Sequence, residues 1–252
     1  MTNKRIPDKA FILAAGMGKR LAPHTDTKPK PMVEVAGRAM IDRTIDELEK
    51  IGVKDITVNI HYRAAQLQQH LASCTIPRLT FSFESALLDT GGGVKKALFT
   101  MGDQPFYVFS GDTVWEDGPS GNTLKRLAEA WDDTTMDFLL LLQPLDSMPV
   151  TEGSGDYNLD ANGKPVLTLD KSGKYFWPSI RIVHPRLFDG TPPVNTPFSF
   201  LDLMKKAEAS GRLAALVHDG TCYHISRPSD LDEVNQHLQG AAKTPASGPK
   251  TP

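Results

Sequence analysis

Between Leu13 and Met32 the stretch LAAGMGKRLAPHTDTKPKPM gathers Gly16 and Gly18, the cations Lys19, Arg20, Lys28 and Lys30, and Pro23, Pro29 and Pro31, directly after an apolar run. Glycines let a backbone approach an anion closely and turn its N–H groups toward it. Arg20 and Lys30 can add charge, and the prolines stiffen the arm that carries Lys30, which lowers the entropy lost in holding it. Phosphate binding is the chemistry these types suit, with Lys28 a solvated lysine. A P-loop needs a later glycine, a lysine and a hydroxyl at spacings that GMGKRL lacks, and a dinucleotide fingerprint needs a third glycine where Leu21 stands. Read alone, the loop also fits a glycine turn bordered by solvated lysines. A second candidate is Asp112, which follows the apolar run FYVFSG. At the carboxyl end of a strand, such a carboxylate can hold magnesium against phosphate oxygens.

Other reactive types are dispersed. Cys74 and Cys222 are too few and too far apart for a disulfide framework or a zinc site, and read as small apolar residues. His24, His61, His70, His184, His218 and His237 are scattered and read as surface or packing residues. The chain has 252 residues and a formal net charge of -2, so it carries no general attraction to nucleic acid or anionic membrane, and a bound anion must meet locally placed cations. Hydrophobic residues at 40% and charged residues at 23% exclude disorder and fibrous repeats as the main state. Lys4 and Arg5 precede AFILAAG in a way that superficially fits a signal peptide, but the apolar run is too short and reads as a first strand. With no run long enough to span a bilayer, the expectation is a cytoplasmic protein without membrane partners.

The elements that must carry these residues follow from periodicity. KAFILAA reads as a strand buried on both faces. In MIDRTIDELEKIGV, Met40, Ile41, Ile45, Leu48 and Ile51 share one helical stripe. DITVNI, RLTFSFE, PFYVFSGD and DFLLLLQ read as further strands, alternating with helices over RAAQLQQHLAS, near 94–99 and near 123–131. Such alternation predicts a mostly parallel sheet with helices on both faces. After Gln143 the pattern changes to a hairpin around Asn162 and Gly163, predicting a small β-rich annex. SIRIVHP, FSFLDLMKKAEASG, LAALVH and PSDLDEVNQHLQ restore strand and helix, and 241–252 reads as a disordered tail. The expectation is a single domain over 1–240, with a nucleotide-binding part at 9–143 and a sugar-binding part at 144–238.

LAAGMGKRLAPHTDTKPKPM, DTGGGVKKAL and SGDTVW, with GDYNLDANGK and HPRLF more loosely, resemble the sugar-1-phosphate nucleotidylyltransferases over most of residues 9–238. The resemblance implies a Rossmann-like nucleotidyltransferase fold and attack of a sugar 1-phosphate oxygen on the α-phosphorus of a nucleoside triphosphate. It also implies pyrophosphate as leaving group and magnesium, with manganese as the alternative. By family position, Arg20, Lys30 and Asp112 are the catalytic residues. Leu13, Ala14, Ala15, Gly16, Gly18, Glu84, Thr90, Gly91 and Gly92 bind the nucleotide. In that scheme Glu84 reads the base, Gly91 and Gly92 form a wall free of side chains, and Thr90 caps the helix that follows. A carboxylate can accept the N3–H of uracil or the N1–H and amino group of guanine, so Glu84 fits either base.

Gly155, Asp170 and Trp177 are the sugar-side candidates. Where the family places a second metal-binding aspartate, this chain has His224 in CYHISRPSD, a side chain that suits manganese or zinc better than magnesium. The short length and triple glycine point within the family to uridylyl transfer onto N-acetylmuramate 1-phosphate in peptidoglycan recycling. The alternatives are guanylyl transfer onto mannose or heptose 1-phosphate, and a non-catalytic nucleotide-sugar binder motivated by His224. A monomer or small homo-oligomer is expected.

Overall fold

Unbroken apolar runs become the middle of a ten-stranded sheet in the computed structural model, which describes residues 6–74, 77–149 and 155–243. Lys4 and Arg5 lie outside those residues, as does the chain beyond 243. From the N-terminal side the elements are strand β1 (Lys9–Leu13), the hairpin β2 (Glu34–Val35) and β3 (Arg38–Ala39), helix α1 (Met40–Lys50), β4 (Asp55–Ile60), α2 (Ala64–Leu71) and β5 (Arg78–Phe83). There follow α3 (Asp89–Lys96), α4 (Leu98–Met101), β6 (Phe106–Ser110), β7 (Val114–Glu116), α5 (Thr123–Ala130) and β8 (Phe138–Pro144). The remainder comprises β9 (Tyr157–Leu159), β10 (Pro165–Leu167), β11 (Tyr175–Phe176), β12 (Arg181–Val183), α6 (Phe200–Ala209), β13 (Leu213–Val217), β14 (Thr221–Tyr223) and α7 (Pro228–Lys243).

Strands β5, β4, β1 and β6 are parallel neighbours, in a register that sets Leu13 level with Asn59 on one side and Ser110 on the other. The carboxyl ends of three strands therefore open on the same side, where α/β sheets bind ligands. β13 is parallel to β8, but β12 runs antiparallel between β6 and β8. The connection from β11 to β12 is only Trp177 to Ile180. Both strands pair antiparallel with β8, so the chain keeps one direction along β8 across this short link. Beyond β8 the antiparallel β11, β9 and β10 form the annex, and Gly163 turns its hairpin at φ 75°.

Both faces of the sheet are covered. Ile41, Ile45 and Leu48 of α1, Leu67 of α2 and Leu124 of α5 pack on one face. Val94 of α3 and Phe200, Leu203 and Met204 of α6 pack on the other. Met40 leaves the stripe predicted for α1 and joins a third cluster with Leu21, Val33, Val114, Tyr223, Leu231 and Val234. That cluster anchors the glycine-rich loop, β7, β14 and α7 to one another.

Two boundaries differ from the sequence reading. α3 starts at Asp89 and takes in Gly91, Gly92 and Gly93, although glycine costs about 1 kcal/mol per helical position relative to alanine. The helix expected to stop near Gln239 continues to Lys243, the last described residue. Among the described residues no helix is long and apolar enough to cross a membrane.

Candidate active site

The glycine-rich loop leaves β1 at its carboxyl end and is tied to both neighbouring strands. Ala14 N–H donates to Asn59 Oδ1 at 2.7 Å, and Gly111 N–H donates to the Leu13 carbonyl at 2.8 Å. Gly18 adopts φ 64°, and a Cβ there would lie 2.8 Å from Lys30 Cβ, so glycine at 18 serves the path of the lysine arm. The Thr25 hydroxyl, from within that arm, donates to the Gly18 carbonyl at 3.0 Å. Gly16 is different: it is exposed, and no protein atom lies within 4 Å of the Cβ it lacks.

A cavity of about 500 Å³ opens above the strand ends. Of the expected residues, Leu13, Ala14, Ala15, Gly16, Gly18, Lys30, Glu84, Thr90 and Asp112 line it. Pro31, Asn59, Leu87, Asp89, Ser110, Gly111 and Pro197 complete the wall. Lys30, on a 3-10 turn after Pro29, forms an ion pair with Asp112 at the cavity edge. Arg20 lies outside this wall, exposed on the 3-10 turn Lys19–Leu21.

Glu84 is held by bonds within the protein. It is 1% exposed; Oε1 accepts from Asn59 Nδ2 at 2.7 Å and Oε2 from the Leu88 N–H at 2.9 Å. Its carboxylate thus ties the end of β4 to the entrance of α3, and through Asn59 to Ala14. Asn59 is the residue sequence reasoning missed: a buried amide at the end of a strand, with nothing in DITVNI to mark it.

Gly91 and Gly92 also serve protein packing. A Cβ at Gly91 would lie 2.5 Å from the Phe198 ring, and one at Gly92 2.6 Å from the Thr196 carbonyl. Their N–H groups both point at the Phe198 carbonyl. Gly93 leaves room for Asn59 and Glu84, each 2.7 Å from its missing Cβ. The glycines therefore let residues 196–198 and the Glu84 strut close on α3. Thr90 caps a helix other than its own: its Oγ1 accepts the Phe200 N–H at 2.9 Å, at the start of α6.

Asp112 and His224 come together through a pairing with no local signal. β7 and β14 are antiparallel with Val114 opposite Tyr223, so Asp112 and His224 extend from the same end of a two-stranded ribbon. Burial, reinforced by the Lys30 ammonium, holds the His224 imidazole below its ordinary pKa, against the opposing pull of Asp112. The imidazole meets the Phe176 ring edge-on, with centroids 5.1 Å apart. Among the described residues no three histidine, cysteine or carboxylate side chains converge to cage a metal unaided. Asp112 offers the oxygen donors magnesium takes when it shares one or two carboxylates with substrate phosphates.

Residues 9–144, which hold this loop, Glu84 and Asp112, match the Nucleotidyl transferase family. The chain belongs to that family. The nucleotidyltransferase is also 34% identical to the N-acetylmuramate α-1-phosphate uridylyltransferase of Caulobacter vibrioides, over 88% of this chain and 93% of that one. It is 37% identical to the mannose-1-phosphate guanylyltransferase catalytic subunit β of Dictyostelium discoideum, over only 42% of this chain and 31% of that one. In fold it resembles HddC of Yersinia pseudotuberculosis complexed with GMP-PN, with a TM-score of 0.73 over 91% of this chain and 99% of that one, at 23% identity.

The three residues expected on the sugar side lie in or beside the annex of this nucleotidyltransferase. A Cβ on Gly155 would lie 1.6 Å from the Gly173 carbonyl, and its own carbonyl already accepts from Gly173 N–H and the Thr168 hydroxyl. Gly155 is a close-approach residue of the annex. Asp170 is exposed and accepts from the Ser172 hydroxyl and N–H, an Asx turn that holds its carboxyl below the usual range. Trp177 is half-buried, with its ring beneath the Arg181 guanidinium at 5.0 Å. None of the three lines the cavity that holds Lys30 and Asp112.

Proposed function

We propose that the protein transfers the uridylyl group of UTP to N-acetylmuramate α-1-phosphate, forming UDP-N-acetylmuramate and releasing pyrophosphate. The observation that carries this reading is the 34% identity to the Caulobacter uridylyltransferase over nearly the full length of both chains. The guanylyltransferase resemblance is confined to less than half of this chain. These substrates imply a cytoplasmic place in cell-wall recycling.

An acceptor phosphate oxygen attacks the α-phosphorus in line with the departing pyrophosphate, and alignment with charge neutralisation suffices, so no protein nucleophile is required. The backbone from Ala14 to Gly18 faces the triphosphate, with the open position at Gly16 giving it closest approach. Lys30 bridges the reacting phosphates as a point charge, and its pairing with Asp112 keeps ammonium and carboxylate in register. Arg20, on the rim, grips the leaving pyrophosphate in its guanidinium fork. Asp112, together with substrate phosphates, would hold magnesium, which when bound neutralises charge on the phosphates. His224 beside it favours manganese as a workable substitute.

The test is pyrophosphate release from UTP or GTP by the purified protein with magnesium or manganese, offered N-acetylmuramate, N-acetylglucosamine or mannose 1-phosphate. UTP with N-acetylmuramate 1-phosphate should give the highest kcat/KM, and EDTA should abolish it. A preference for GTP with mannose 1-phosphate, or no release from any pair, would sink the reading.

A further inference from the structure

Arg181 is an arginine in a strand that otherwise reads as core. It lies on β12 opposite Val108 and Leu140 and is 1% exposed. Its guanidinium carbon sits 4.0 Å from the Phe200 ring centroid and 5.0 Å from that of Trp177. No carboxylate pairs with it among the described residues. Nη1 donates to the Ser179 carbonyl at 3.2 Å, while Nε and Nη2 have no partner. Two further buried donors beside it are also unpartnered, the Tyr157 hydroxyl and Trp177 Nε1. Burial pushes the guanidinium pKa down to about 9, which still leaves it charged at neutral pH.

A buried cation without a counter-charge is costly, and two aromatic faces offset only part of that cost. The free groups are all donors, so what satisfies them must be an acceptor. The free edge of Arg181, Nε with Nη2, is the planar fork that takes a carboxylate side-on through two parallel bonds.

The strand register brings this fork close to the cavity wall. Val108, opposite Arg181, lies two residues before Ser110 of the cavity wall. Leu13 lines the cavity and packs on the same apolar cluster as Val108, Tyr157 and Phe200, against which Trp177 also packs. Pro197 of the wall leads directly into α6, whose first residue, Phe200, covers the guanidinium. One strand pairing and two residues along β6 thus separate Arg181 from Ser110 of the cavity wall, and the half-buried Trp177 ring lies over the guanidinium.

The geometry points to Arg181, with Tyr157 and Trp177, as a carboxylate subsite that recognises the acid group of the acceptor sugar. This rests on the reading of the acceptor as N-acetylmuramate 1-phosphate, whose lactyl ether carries a carboxylate that N-acetylglucosamine 1-phosphate lacks. Arg181 is then a specificity-determining residue, and the phosphate chemistry at Lys30 and Asp112 is shared by both acceptors.

The test compares KM for the two acceptors in wild type, Arg181→Met and Tyr157→Phe, with UTP saturating. Arg181→Met should raise KM for the carboxylate-bearing acceptor about tenfold or more relative to the other, the scale of one charge-assisted bond. Tyr157→Phe removes only a hydroxyl that bonds nothing in the protein, so a structural role predicts no change, whereas the subsite predicts the same shift of the ratio. Equal changes for both acceptors, or an unmoved ratio in both variants, overturn the inference. If wild type forms no UDP-N-acetylmuramate, the acceptor reading itself fails, and D-lactate decides the subsite. A rise in Tm with D-lactate that Arg181→Met loses supports it, and no rise in wild type overturns it.

Discussion

Replacing Glu84 by glutamine separates a strut from a base reader. Glutamine keeps the size of the side chain but turns one accepting oxygen into a donor. Both oxygens are in use, by Asn59 Nδ2 at 2.7 Å and the Leu88 N–H at 2.9 Å, so either orientation of the new amide sets donor against donor. Flipping Asn59 only moves the conflict, because its Oδ1 already accepts the Ala14 N–H. One bond to a charged acceptor is lost in a site that is 1% exposed, a cost of about 1.5–3 kcal/mol. In a chain of this size that corresponds to a fall in Tm of about 3–12 °C. Differential scanning fluorimetry reads the fall, and steady-state kinetics should give a higher KM for UTP with the UTP-to-GTP preference retained, since the strut shapes the wall and leaves the base to other contacts. An unchanged Tm together with a switched base preference would refute the strut and restore Glu84 as a reader.

Gly16→Ala and Gly91→Ala should separate ligand space from protein space. Alanine at 16 enters a void and should leave Tm unchanged while raising the KM for UTP, whereas alanine at 91 meets the Phe198 ring at 2.5 Å and should cost about 1–3 kcal/mol in a thermal or urea melt. Lys30→Met removes the partner of Asp112 and the charge on the cavity wall, and kcat for pyrophosphate release should fall by about 10² or more, with the far-UV CD spectrum retained. The Asp219 carboxyl is held down to about 2 from an ordinary 3.8 by the Ser120 hydroxyl and N–H and by Arg126. Its contribution is therefore full above pH 3.8 and lost as pH falls toward 2, so the Tm gap between wild type and Asp219→Asn should be present at neutral pH and close across that acidic window.

What the sequence determined alone is what short stretches of chain encode. Gly16, Gly18, Arg20 and Lys30 are close enough in the chain for their types and spacing to suit phosphate chemistry, and the alternation of apolar runs with helical stripes announces a sheet covered on both faces. β1, β6 and β8 follow from apolar runs because strands buried on both faces leave few polar positions. Tertiary structure decided which groups meet across long separations. The pairing of β7 with β14 brings Asp112 to His224, and the contact of α3 with residues 196–198 explains Gly91 and Gly92. The tie from Glu84 through Asn59 to Ala14 spans three strand ends, and Arg181 is buried between the Phe200 ring of α6 and the Trp177 ring of the link before β12. A glycine letter does not say whether ligand, ring or carbonyl occupies the space it leaves, and a carboxylate letter does not say which donors reach it. Register and packing, set by the whole chain at once, supply those answers.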